Sequence, residues 1–161
     1  GEANVIWLQD ILDESLGMGH YKVICPITDA FVGHHGSLGG FVRVYCLDGS
    51  SPEAAIEIIQ SISGVEKVWT AEGVCHELHQ PIDREGDIAV TADLKTVIGS
   101  RESDHDLSAL KGHRLRTHGS LHEAKVPLII SAPLTDEYNK KASDMTLGSE
   151  DIFDFVLNGT K

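Results

Sequence analysis

Three histidines lie close together in the segment HRLRTHGSLHE, and imidazole side chains serve both as metal ligands and as general bases. They are His113, His118 and His122, and the apolar run VPLIISAPL follows them. Two histidines four residues apart can bind zinc from one helix face, but the metalloprotease order places Glu directly after the first. Here Glu123 follows the second histidine, and Gly119 favours a loop. The spacing by itself therefore assigns no metal site.

A second polar cluster, GHHGSLGG, contains the adjacent histidines His34 and His35. Neighbouring side chains in extended chain point to opposite sides, so at most one of the two faces a site. A structural or surface use of this pair is the simpler interpretation. His35 is retained as a candidate for substrate binding or for supporting the site.

Composition limits the kinds of partner. The chain has 161 residues, 41% of them hydrophobic, which is enough for one buried domain or for part of a larger one. Its net charge of −12 repels nucleic acids and anionic membrane surfaces, so an anionic ligand would need local cations such as metal ions. No apolar run approaches the ~20 residues of a membrane span, and no basic-then-apolar leader is present. We expect a cytoplasmic protein that binds neither nucleic acid nor membrane.

The three cysteines are Cys25, Cys46 and Cys75. They are odd in number, far apart in sequence, and form no C-x-x-C pair, which argues against a disulfide framework and against a zinc ribbon. Each lies among apolar residues, so the sequence predicts small buried side chains.

Hydrophobic periodicity predicts alternating helices and strands, followed by a polar loop over residues 100–119. Long irregular loops within compact domains are often functional. Arg43 alternates within its strand and is predicted to face solvent. The predicted elements are a helix at 4–16, strands at 21–27 and 41–47, a helix capped by Ser51, a strand at 65–71, a short helix at 72–79, strands at 86–93, 95–99 and 125–134, and a closing helix capped by Ser149.

Residues 41–93 alternate strand, helix, strand, helix and strand, which is typical of a small α+β subdomain. The flanking segments YKVICPI and VPLIISAPL are typical of strands buried on both faces, which need a sheet covered by helices. The chain supplies few partners for such strands. We therefore expect it to form part of a larger α/β fold.

Several long words of the sequence resemble the C-terminal half of the phosphonoacetate hydrolase family. This family belongs to the alkaline phosphatase superfamily, close to the nucleotide pyrophosphatases/phosphodiesterases. The resemblance extends from Asn4 to about Leu134. The words are GDIAVTAD, DHDLSAL and THGSLHEAKVPLIISAPL in that order, with NVIWLQDILDE, VICPITDAFVGHHGSLGGFVRVY and IGSRESDHDLSALKGHRLRTHG.

The resemblance implies a hydrolase with two zinc ions that cleaves the C–P bond of phosphonoacetate to acetate and phosphate. Its nucleophilic threonine, an Asp-His-Gly motif and most metal ligands would lie upstream, so no catalytic residue is assigned within this chain. The last zinc ligand corresponds to His118. Thr117 and His122 are weaker candidates for substrate binding or for supporting the ligand. Asp104-His105 is followed by Asp106 in place of Gly, so it receives no metal role.

The fold that the resemblance implies is part of an alkaline-phosphatase-like core with helices on both sheet faces, plus an inserted ferredoxin-like subdomain. The predicted boundaries are core at 1–36, insertion at 37–93 and return to the core at 94–161. The expected partners are a small anionic phosphonate and the N-terminal half of the enzyme, without which this segment would be inactive. Oligomeric state stays open, with a homodimer among the alternatives.

Two other functions compete with this hypothesis. One keeps the superfamily but replaces the phosphonate by a phosphodiester or nucleotide. The other is a metal-free, non-catalytic module that binds a small molecule through the α+β segment 41–93. The matching words outside that segment argue against the binding module, and HHGSLGG and DHDLSAL favour the phosphonate branch.

Overall fold

The computed structural model describes residues 4–26, 38–108 and 118–161. The chain divides into two compact units, Gly1–Ala124 and Lys125–Lys161, which are described separately below. The boundaries at 36/37 and 93/94 that the sequence suggests stay a prediction. No helix in the described ranges is both long and apolar enough to cross a membrane.

The first unit contains six strands and three α-helices within the described ranges. In chain order they are β1 (Asn4–Trp7), α1 (Leu8–Leu16), β2 (Tyr21–Ile24), β3 (Phe41–Cys46), α2 (Pro52–Gln60), β4 (Val65–Thr70), α3 (Ala71–Leu78), β5 (Ile88–Ala92) and β6 (Thr96–Gly99). Single 3₁₀ turns are formed by Ile82–Arg84, Glu102–Asp104 and Leu121–Glu123.

Four of these strands form an antiparallel sheet in the order β2-β3-β5-β4, and β1 pairs in parallel with β6. Val42 lies opposite Val90 and Val44 opposite Ile88, so cross-strand apolar pairs form one buried face. Side chains of α1 and α2, among them Leu12, complete this core. The mixed α/β class expected from the sequence is confirmed.

The N-terminal segment differs from its prediction. Its apolar spacing predicted one helix from Asn4 to Leu16, but residues 4–7 are a strand and the helix begins at Leu8. Ile6 pairs with Ile98 of β6 and is only 5% exposed. Pairing with a distant strand therefore overrides the helical spacing, which a single sequence cannot reveal.

The side chain of Gln9 binds the edge of β2. Its Nε2 donates to the carbonyl O of Tyr21 at 3.0 Å, and its Oε1 accepts from the backbone N–H of Val23 at 2.8 Å. The amide therefore satisfies two backbone groups that a neighbouring strand would otherwise pair. This contact attaches α1 to the sheet.

The second unit contains α4 (Asp136–Asp144) and α5 (Asp151–Asn158). Phe155 of α5 is buried and packs edge-on against Tyr138 of α4, with ring centroids 5.1 Å apart. The carboxylate of Asp154 accepts from Lys141 Nζ at 2.6 Å and from Tyr138 Oη at 2.9 Å. Ionic and aromatic contacts therefore join the two helices.

The buried strand predicted at 125–134 is absent. These residues are irregular, Val126 is 77% exposed and Ile129 is 84% exposed. Leu134 forms an isolated bridge with Thr160, and within the described residues no further strand pairing involves this segment. A strand needs a neighbour to satisfy its backbone, so the apolar run alone does not produce one.

The closing helix also differs in part. Phe155 is buried, but Ile152 and Phe153 are exposed. The helix starts after Glu150 without a side-chain cap, so the predicted Ser149 cap is wrong. Gly159 ends the helix.

Candidate functional site

The loop 118–123 is attached to the start of β3. The backbone N–H of Gly40 donates to the carbonyl O of His118 at 2.9 Å. A Cβ at Gly40 would lie only 2.7 Å from Cβ of Ser120, so glycine permits this close approach. Gly119 has φ of +97°, in the left-handed region, which turns the chain directly after His118. The histidine backbone is therefore held at a defined place.

The segment that receives this loop is itself part of the core. Leu38 is fully buried, and Gly39 exchanges backbone hydrogen bonds with Ile98 of β6 at 2.8 and 3.3 Å. The carbonyl O of Gly40 accepts from the backbone N–H of Ala92 in β5 at 2.9 Å. Loop 118–123 thus rests on backbone that is hydrogen-bonded to two strands, which is the support that a ligand loop requires.

The sequence-predicted site residues are not all described. His118 is exposed, so its imidazole is accessible to a ligand. Thr117 and His35 lie outside the described residues. His122 has its Nε2 3.1 Å from Oε2 of Glu66 on β4. The structure therefore associates His122 with the sheet, a contact that sequence spacing could not indicate.

The described residues do not by themselves form a metal site. Within 4–26, 38–108 and 118–161, no group of three or more His, Cys, Asp or Glu side chains could hold a metal ion. Zinc centres use three or four protein ligands, and a dinuclear centre uses more. His118 can supply one of them. No catalytic step through zinc follows from these residues alone.

His105 is buried and packs against neighbouring residues. It is 8% exposed, its ring stacks on Trp7 at 5.2 Å, and its Nε2 accepts from the backbone N–H of Ser100 at 3.1 Å. The Ser100 hydroxyl donates to Oδ2 of Asp104 at 2.9 Å. These contacts fix the turn after β6. The Asp-His pair in the sequence gave no signal for this arrangement.

The sequence predicted that Arg43 faces solvent, and this prediction is wrong. Its guanidinium donates to both carboxylate oxygens of Glu85, at 2.8 and 2.6 Å, and lies 5.1 Å from the ring centroid of Phe41. The Glu85 side chain is fully buried, and its hydrogen bond raises the pKa of Arg43. The charge of Arg43 is therefore neutralised within the fold, so it is a poor candidate for attracting an anionic substrate.

The cysteines are half-buried where the sequence predicted full burial. Burial raises the pKa of Cys25 to about 11 and that of Cys46 to about 11. The pKa of Cys75 is also raised, first by desolvation. Because thiolates are the nucleophilic and metal-binding form, these thiols are unsuited to either role at neutral pH.

Comparison with known proteins gives two informative structures and no matching family model. The chain is 38% identical to phosphonoacetate hydrolase from Sinorhizobium meliloti 1021 in complex with phosphonoformate, with a TM-score of 0.62 over 73% of this chain and 28% of that chain. For the complex of that enzyme with phosphonoacetate, the identity is 37% and the TM-score is 0.63, over 74% of this chain and 29% of that chain.

A weaker likeness is to murine ectonucleotide pyrophosphatase/phosphodiesterase 5. It has 20% identity and a TM-score of 0.45 over 64% of this chain and 23% of that chain, so it supports no argument.

The chain is thus hydrolase-like and resembles enzymes of the alkaline phosphatase superfamily. The particular enzymes that it resembles are phosphonoacetate hydrolases, which confirms the family recognised from the sequence words. The chain spans 28–29% of the length of these relatives.

Proposed function

We propose that this chain is part of a metal-dependent hydrolase that cleaves the C–P bond of phosphonoacetate to acetate and phosphate. The observation that carries the proposal is the 37–38% identity to one hydrolase, whose two structures contain phosphonoformate and phosphonoacetate. Both ligands are small anionic phosphonates. The substrate of this chain is proposed to be of the same class.

His118 is the proposed zinc ligand of this chain. Support comes from its exposed position and from the backbone contact that holds it against Gly40. One imidazole supplies a single ligand, whereas the proposed site binds two zinc ions. The other ligands and the threonine nucleophile are therefore proposed to lie upstream, in the N-terminal half of the enzyme.

The charge distribution favours a metal-assisted site over a purely cationic pocket. The chain carries a net charge of −12. Arg43 is paired with Glu85, Lys67 with Glu77, and Arg101 with Asp10 and Asp13. Cations neutralised in this way attract a phosphonate weakly, so bound metal ions would have to supply the positive potential.

The proposed insertion is a ferredoxin-like subdomain over residues 37–93. In support, the sheet order β2-β3-β5-β4 places β5 between the two strands that α2 connects. The first strand of this sheet, Tyr21–Ile24, precedes the predicted insertion. The proposed subdomain would therefore recruit α1 and β2 from the segment before it.

Phosphorus-31 NMR tests the hydrolase proposal directly. With zinc and phosphonoacetate, the enzyme that includes the proposed N-terminal half is expected to release inorganic phosphate, and His118→Ala is expected to lower that rate by more than the ~10–100-fold typical of residues around a metal ligand. His76→Ala, an exposed histidine on α3, is the matched control and should retain the rate.

The same assay separates the alternatives. A phosphodiester hydrolysed in preference to phosphonoacetate would favour a phosphodiesterase. Phosphonoacetate binding without turnover, unaffected by zinc removal, would favour a binding module. Either result, or equal rates for the His118→Ala and wild-type forms of that enzyme, would contradict the proposal.

A further inference from the structure

A second contact attaches the His118 loop to the sheet. Nε2 of His122 lies 3.1 Å from Oε2 of Glu66, and their side chains are 38% and 30% exposed. Nε2 can donate a hydrogen bond both in the imidazolium and in the neutral Nε2–H tautomer. The contact therefore does not depend on a charged histidine.

Glu66 occupies an irregular position in β4. Val65 pairs with Ala92 and Lys67 pairs with Thr91, so Glu66 is an extra residue without a partner in the ladder. Such bulges redirect a side chain and occur often beside functional sites. Here the redirected carboxylate lies next to the loop.

The two ends of the loop are therefore held differently. At one end, the Gly40 backbone N–H binds the carbonyl O of His118. At the other end, His122 binds Glu66, and the Glu123 carboxylate accepts from the Ser120 backbone N–H at 3.2 Å. The five residues from His118 to His122 thus span two anchor points on one sheet.

We propose that His122 and Glu66 are positioning residues that hold the loop so that His118 stays at one place relative to β3. This inference rests on the proposed function of His118, and it assigns His122 to the protein scaffold instead of the substrate. An exposed pair of this kind contributes little to global stability. The pair should therefore act locally, by keeping the loop ordered.

Hydrogen exchange of the Gly40 amide, measured by NMR on the 161-residue chain, reports the loop position directly. His122→Phe keeps a ring but removes the donor, and Glu66→Ala removes the acceptor. Each is expected to lower Gly40 protection by roughly 2–10-fold, the range of one hydrogen bond, while the melting temperature stays nearly unchanged.

Conservative variants and a matched pair serve as controls. His122→Gln and Glu66→Gln keep a donor and an acceptor, so they are expected to restore most of the protection. Glu77→Ala removes another exposed pair of β4, that with Lys67, and should leave Gly40 unaffected. Unchanged Gly40 exchange in His122→Phe and Glu66→Ala, or an equal loss in Glu77→Ala, would overturn the proposal.

A second readout separates positioning from simple structural support. In the active hydrolase, His122→Phe is expected to weaken zinc binding about tenfold without changing the KM for phosphonoacetate. An unchanged zinc affinity would overturn the positioning role. The exchange experiment needs no metal and no turnover, so its failure is distinguishable from failure of the proposed hydrolase activity.

Discussion

The loop 118–123 lies so close to the backbone of Gly40 that no side chain fits at position 40. A Cβ there would lie 2.7 Å from Cβ of Ser120 and 2.8 Å from its backbone N. Backbone atoms cannot move aside as the end of a flexible side chain can. This single residue therefore controls whether the loop can rest on the sheet.

Gly40→Ala is accordingly expected to destabilise the first unit by about 1–3 kcal/mol, because the overpacked loop must shift. Urea unfolding measures the change in the free energy of unfolding. Gly73→Ala is the matched control, since a Cβ on that α3 residue meets atoms at an ordinary 3.5 Å. That variant should be neutral or up to about 1 kcal/mol more stable, and a larger loss there than at Gly40 would refute the packing argument.

Two carboxylates that bind cations should respond very differently to removal. Glu85 is fully buried under Arg43, so Glu85→Ala leaves a partly buried guanidinium without its partner and is expected to cost about 3–5 kcal/mol. Glu77 is 42% exposed beside Lys67, so its replacement by Ala should lower the free energy of unfolding far less. A similar loss of unfolding free energy in the two variants, measured with denaturant, would show that burial does not determine the strength of these ion pairs.

At the scale of elements, the sequence predicts best where local signals and tertiary contacts agree. Helix α2 begins after Ser51, whose hydroxyl accepts from the Ala54 backbone N–H at 3.3 Å, with Pro52 in the first turn. Residues 4–7 and 125–134 were predicted wrongly because pairing with a distant strand decides them. Helical spacing cannot report that β1 has a partner or that VPLIISAPL has none among the described residues.

The strength of the contact between α4 and α5 should depend on pH. Hydrogen bonds from Lys141, Asn158 and Tyr138 lower the pKa of Asp154 from its usual 3.8 to about 2. A lowered carboxylate pKa means stabilisation that is present above the usual value and is lost as the pH falls through about 2. Carbon-13 NMR of the Asp154 carboxyl is expected to show this titration.

Asp154→Asn is the control for that titration. In this variant, the acid-induced change in the Tyr138 ring signals centred near pH 2 should be absent, because the titrating carboxylate is gone. A midpoint for Asp154 near its usual value would contradict the ionic connection between the two helices.

At the scale of the whole molecule, the family resemblance was recognised from long stretches of sequence more than from any local spacing. The spacing of His118 and His122 assigned no metal site, and the structure associates His122 with Glu66. Thr117 and His35 fall outside the described residues, so their roles stay predictions. A full ligand set could not be predicted because metal ligands converge in space from distant segments.

Zinc content tests the central claim, that His118 is a metal ligand of a phosphonate hydrolase. The account predicts that the purified enzyme, with its proposed N-terminal half, binds zinc with high affinity and that His118→Ala loses much of this zinc. The surface variant His76→Ala should keep it. Equal zinc content in all three proteins, or no zinc in any of them after equilibration with the metal, would contradict the claim.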